Sequence, residues 1–217
     1  MFCVAAPVPA FQLSGLFLTA MPTWIYNGFT EDSEGNNVQG SDVSPLRMTF
    51  GGGAEVSLNE RHRFEPQLWF YLQEYAALRS YDKTVPTQIE TGAVVGDIAN
   101  TLSIALALPW LYTFPWPVAE GWRFSAGLGV AFIFRIPLQD IDGTDGGAVG
   151  SYWIDGRFLY PQLNLAADYS LSERYQIGAG VEWYVPVYNG WAQTEPAPFL
   201  DETMLRLGLR VRYLLVP

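Results

Sequence analysis

From Thr203 to Val216 the chain alternates without a break. Leu205, Leu207, Leu209, Val211, Tyr213 and Leu215 fall on one side of an extended strand, and Arg206, Gly208, Arg210 and Arg212 fall on the other. A helix would spread both sets around its circumference, whereas a strand separates them. At about 3.3 Å per residue the apolar side runs for roughly 33 Å along the strand, which at the usual tilt of about 40° is close to the apolar height of a membrane-spanning β-barrel.

The same two-residue period recurs in segments 11–21, 46–58, 62–78, 97–114, 122–136, 157–171 and 175–188, which with 203–216 make eight. The clearest is 122–136, where Trp122, Phe124, Leu128, Val130, Phe132 and Phe134 oppose Arg123, Ser125, Gly127, Gly129 and Arg135. The least regular is 11–21, where Leu16 and Leu18 lie opposite Leu13 and Phe17. Connections alternate in length: 59–61, 115–121 and 172–174 are short, while 22–45, 79–96, 137–156 and 189–202 are long and polar. Even strand number with short turns at one end and long loops at the other predicts an all-β fold: an eight-stranded antiparallel up-and-down transmembrane β-barrel. Residues 11–217 then form one domain, with short periplasmic turns, long extracellular loops and both termini at the periplasmic end. Leu106, Phe132, Leu165, Val181 and Leu207 are expected to face lipid. A soluble β-barrel would reverse the two faces, apolar inside and polar outside.

Composition narrows the picture. No apolar run reaches the 18 residues of a transmembrane helix, although 49% of the chain is hydrophobic. Arginine outnumbers lysine, which occurs only at Lys83, so helices laced by Glu–Lys pairs are not expected. A net charge of −10 argues against a nucleic-acid partner. One histidine and one cysteine leave no Cys/His metal site or disulfide framework to propose. Residues 1–10 are apolar and end Val8-Pro9-Ala10, a small-residue pattern like a signal-peptidase site, without a basic segment ahead of it. They read as the remnant of an export signal cleaved after Ala10, the alternative being an ordinary frayed terminus.

The strand number, the loop rhythm and the terminal strand together resemble the small eight-stranded bacterial outer-membrane barrels: the OmpA transmembrane domain, OmpX and OmpW. Arg206-x-Gly208-x-x-Val211-x-Tyr213 is similar to the C-terminal assembly signal of such barrels, although this chain continues Leu214-Leu215-Val216-Pro217 where they usually end on an aromatic. The resemblance implies a bacterial outer-membrane location, outer-membrane lipid as surroundings, and recognition by the barrel-assembly machinery through Arg206–Tyr213. Enzymes on this scaffold, such as lipid A acyltransferases and deacylases or omptin proteases, need a histidine near serine or carboxylates at the extracellular rim. His62 opens the third segment at the opposite rim, so no catalytic role and no cofactor are expected.

Two sets of inward residues remain as candidates. Arg47, Arg123, Arg206, Arg210 and Arg212, with Glu55, Glu65, Asp168 and Glu182, are expected to form one network closing the periplasmic half of a lumen just wide enough for side chains. Trp69, Tyr71, Tyr75, Phe158, Tyr160 and Tyr184 place aromatics inward nearer the loops. Two functions follow: a narrow OmpW-like channel for small solutes, hydrophobic ones included, or a structural and surface-interaction barrel with a plugged lumen. The acidic loops would then meet a small solute or a host ligand. Asp140-Ile-Asp142-Gly143-Thr144-Asp145 matches a calcium loop only loosely, because Asp145 stands where the EF-hand order requires glycine, and it reads as a solvated turn.

Overall fold

The computed structural model describes residues 11–26, 29–31, 37–39, 46–76, 98–115, 120–137, 158–187 and 203–215. The export-signal remnant at 1–10 and the acidic stretch containing Asp140 lie outside them. The strands are β1 (Gln12–Ile25), β2 (Phe29–Glu31), β3 (Asn37–Gln39), β4 (Leu46–Ser57), β5 (His62–Phe64), β6 (Gln67–Ala76), β7 (Ile98–Thr113), β8 (Trp122–Pro137), β9 (Leu159–Ser170), β10 (Tyr175–Tyr184) and β11 (Met204–Leu214). The order β1-β11-β10-β9-β8-β7-β5/β6-β4 closes through the β1–β4 pairing, and every pairing with a printed register is antiparallel. No sheet edge is left in the wall, which lets strands cross a bilayer with their backbone groups paired. Among the described residues, β2 and β3 pair only with each other, within the long connection after β1.

β5 and β6 are one barrel strand broken at Glu65-Pro66. Val56 pairs with Phe64 and Gly53 with Gln67, so the register is the same on both sides of the break. Proline removes a donor without shifting the ladder. Ala54 N still donates to Pro66 O at 3.0 Å, and Glu65 N to Pro109 O at 3.0 Å.

Alternation carries through the wall. β10 reads exposed, buried, exposed, buried along its length. Leu106, Leu165, Val181 and Leu207 point outward, as do Leu68, Phe70, Leu128 and Leu209. Phe132 is half-buried on the same outer face, its ring stacked 6.3 Å from Phe158. The irregular first segment is explained by a bulge. Leu13 pairs with Val56 but Gly15 with Glu55, so Ser14 is an extra residue. One inserted residue flips the parity, putting Leu13, Leu16 and Leu18 outside together and Phe17 inside. β1 also runs to Ile25, past Pro22, where the sequence suggests a loop. Pro22 faces outward opposite Met48, and the alternation continues beyond it with Thr23 and Ile25 inward.

The short turns are built from local side-chain acceptors. Asn59 Oδ1 takes the N–H groups of Arg61 and His62 at 2.9 Å each, the usual way asparagine closes a turn. Ser172 Oγ does the same for Arg174 and Tyr175 at 3.3 and 3.1 Å. Gly121 adopts φ 83° in the turn before β8, where a side chain would also strike the Tyr169 ring.

Candidate functional site

The lumen is filled by a charge network assembled from β4, β5/β6, β8, β9, β10 and β11. At its centre Arg212 meets Glu65 at 2.6 Å, Glu55 at 2.7 Å and Asp168 at 3.3 Å. Arg63 meets Glu65 at 2.6 Å and Asp168 at 3.2 Å. Arg123, a quarter exposed toward the short-turn end, holds Glu55 at 3.0 Å and Asp168 at 3.3 Å. Nearer the loops, Arg210 joins Glu65 at 2.5 Å to Glu182 at 3.5 Å. Arg206 then meets Glu182 at 2.5 Å. The four carboxylates are each no more than 2% exposed. Charges removed from water this completely persist only when paired and hydrogen-bonded.

Small inward residues make room for these long side chains. A Cβ at Gly178 would collide with the Asp168 carboxylate, and one at Gly53 with the Phe17 ring. Phe17 in turn lies under two guanidiniums, 5.2 Å from Arg210 and 5.6 Å from Arg212. Trp69 offers its face to Arg206 at 4.1 Å. Five guanidiniums against four carboxylates leave one formal positive charge, and these π faces sit where it can be met. Neutral partners add to this: Gln67 Nε2 donates to Glu182 Oε1 at 3.2 Å, and Tyr184 Oη to Glu182 Oε2 at 2.5 Å. Arg123 Nη2 also donates to Gln176 Oε1 at 3.1 Å.

Nearer the loop ends of the strands the interior is mainly apolar, with Arg135, Ser103, Thr23 and Thr49 buried beside it. Ile25, Trp69, Tyr71, Ala105, Ala107, Ala131, Ile133, Tyr160, Tyr184 and Met204 form one buried cluster. Trp69 stacks on Tyr71 with centroids 5.5 Å apart, and Arg135 Nη2 donates to Tyr160 Oη at 2.9 Å.

Eight of the nine expected charges meet in the network, and three findings depart from expectation. Arg47 sits at the loop end of β4 opposite Thr23, and its guanidinium donates to the Leu46 carbonyl at 3.5 Å; it lies outside the cluster. Alternation places its face correctly but says nothing of its height in the barrel. Phe158 precedes β9 in a turn, where alternation no longer applies, and its ring lies 6.3 Å from both Phe132 and Phe134 on the outer side. The network also reaches further than the periplasmic half, since Glu182 and Arg206 are each two residues from the loop ends of β10 and β11. Trp69, Tyr71, Tyr160 and Tyr184 are inward as expected, while for Tyr75 only the backbone, paired with Ala99, is described. Arg63 and Phe17 are members that the sequence reading missed. Arg63 shares the parity of Glu65 and Gln67, a usable signal.

No protein-family model matches this sequence, and no curated protein matches it. Among solved structures, OprG of Pseudomonas aeruginosa superposes with a TM-score of 0.52 at 11% identity, over 94% of this chain and 98% of that one. Neisserial surface protein A gives 0.48 at 10% identity, over 94% and 98%. AlkL in lipid bilayers gives 0.47 at 12%, over 100% and 97%. Of these three only OprG exceeds a TM-score of 0.5, and at that identity the likeness is one of fold. Apolar side chains line the outside of a closed wall and buried ion pairs fill its inside, so the chain has the fold of the small eight-stranded outer-membrane β-barrels.

Proposed function

We propose that this barrel takes small apolar solutes at its loop-side mouth and passes neither ions nor polar solutes through to the periplasm. The observation that carries the reading is the change of interior chemistry along the axis. Apolar side chains gather at the loop ends, and a paired charge network lies below them. A small apolar molecule gains by entering the first region, while moving into the second would separate buried ion pairs at several kcal/mol, about 3–5 for each broken pair. Release would then be sideways into the membrane. Consistent with this, Pro161 accepts from Val185 N at 3.0 Å but supplies no N–H in return, leaving one bond fewer in the β9–β10 seam beside Tyr160 and Tyr184. The terminal strand β11, bonded to both β1 and β10, is the part that the assembly machinery would read through Arg206–Tyr213.

A second reading, a structural barrel presenting its loops, is favoured by one observation: Trp69, Tyr160, Tyr184 and Met204 are fully buried and pack like an ordinary core. Methyl-resolved NMR of the protein in nanodiscs separates the two. Titration with n-octane is expected to shift the Ile25, Ile133 and Met204 methyls in a saturable way, while Leu165 and Leu207 follow bulk partitioning. Inward methyls that stay unmoved would leave only the structural reading.

A further inference from the structure

The outer wall is not uniformly convex. Along β7 to β11 lies an apolar groove of about 800 Å³, walled by Trp110 and Trp183, with Ala126, Leu165 and Val181 along it and His62 at its β5 end. Its residues follow one cross-strand row, His62 opposite Tyr112, Tyr112 opposite Ala126, Ala126 opposite Leu165 and Leu165 opposite Val181. Such rows run oblique to the axis in a tilted barrel, so the groove climbs from the short-turn rim into the apolar band. Two smaller hollows of about 370 and 290 Å³ continue it. The first shares Leu165 and Val181 with the groove, and the two share small Ala167 and Ala179 with each other.

The polar end of this groove is oriented. Trp110 Nε1 donates to His62 Nδ1 at 3.1 Å, and the His62 ring also packs 5.2 Å from Tyr112. An imidazole that accepts at Nδ1 carries its proton on Nε2 and presents it as a donor. An apolar trough with one fixed hydrogen-bond donor at the interface matches an amphiphile with an acceptor-rich head and a hydrocarbon tail.

We propose that the groove holds a glycerophospholipid of the periplasmic leaflet, its acyl chain between Trp110 and Trp183 and a phosphate or ester oxygen on His62 Nε2. The chain would fill the hollow over Ala126, where neighbouring lipid-facing positions carry leucine or aromatic side chains. His62 lies beside the turn between β4 and β5, at the short-turn end, which in barrels of this kind faces the periplasm. The donor is therefore in reach of phospholipid heads of that leaflet.

Native mass spectrometry tests the site. Protein reconstituted in phosphatidylethanolamine–phosphatidylglycerol vesicles is extracted into detergent and washed, and retained lipid is counted per barrel. Wild type is expected to keep one phospholipid. His62→Leu removes one hydrogen bond and should weaken retention by about tenfold. Ala126→Phe fills the trough and should abolish retention, and Ala126→Leu, a smaller filling of the same trough, serves if the first variant does not fold. Leu68→Phe, outward on β6, should leave retention unchanged. Equal retention by wild type and both groove-filling variants would overturn the proposal. So would a dimer lost on filling the groove, which would assign the groove to a second copy of the chain.

Discussion

Glu65→Ala should destabilise the barrel by about 3–5 kcal/mol, the largest effect expected of any single change in the lumen. This carboxylate holds Arg63, Arg210 and Arg212 at 2.6, 2.5 and 2.6 Å, and it is 1% exposed. Its loss does not triple the cost of one broken pair, because each arginine keeps a second carboxylate. Arg63 retains Asp168, Arg210 retains Glu182, and Arg212 retains Glu55. What remains is a cluster whose formal charge has risen from one to two positives, on side chains that, Arg123 apart, are buried. Glu65→Ala combined with Arg212→Met should cost less than the sum of the two single changes, since the second removes part of the charge that the first leaves unpaired. Urea unfolding in vesicles measures both. Additive losses would mean that the two side chains are not coupled across the lumen.

Leu207→Arg is expected to cost about 2–4 kcal/mol, for the opposite reason. Leu207 faces outward from β11, three residues in from its loop end and opposite Val181 on β10, and a guanidinium there would enter hydrocarbon. Depth separates this from a general effect of charge. Leu13, exposed at the short-turn end of β1, should tolerate arginine at about 0–1 kcal/mol, as positions near the interface do. Equal costs at the two positions would mean that the apolar band is misplaced. The pairing of these experiments is informative because Arg206 and Leu207 are neighbours in sequence: a guanidinium is stabilised at one and excluded at the other, and only the face differs.

That distinction of faces was legible in the sequence, because a period of two survives wherever a strand runs without interruption. Legibility failed at interruptions. Ser14 is an extra residue in β1, so the parity read from Leu16 and Leu18 did not extend back to Leu13, and Phe17 was not recognised as a lumen ring beneath Arg210 and Arg212. Phe158 stands outside β9, where the rule does not reach. Arg63 was readable from the parity of Glu65 but lies one residue past the start of β5, close enough to the turn to be passed over. Alternation also gives a face and not a partner. Glu65 and Arg212 are 147 residues apart and meet across the barrel. Their contact depends on closure, on strand tilt and on the glycines that thin the inner wall, none of which is a local property of the sequence.

Planar-bilayer recording of the refolded protein tests most directly whether the ion-pair network shuts the lumen. Wild type should show no steps of ohmic conductance, whereas Glu182→Ala should produce small-ion steps, because it takes the carboxylate from Arg206, leaves Arg210 with Glu65 alone, and removes the acceptor of Gln67 and Tyr184. A steady ohmic conductance in wild type, unchanged by Glu182→Ala, would contradict the account.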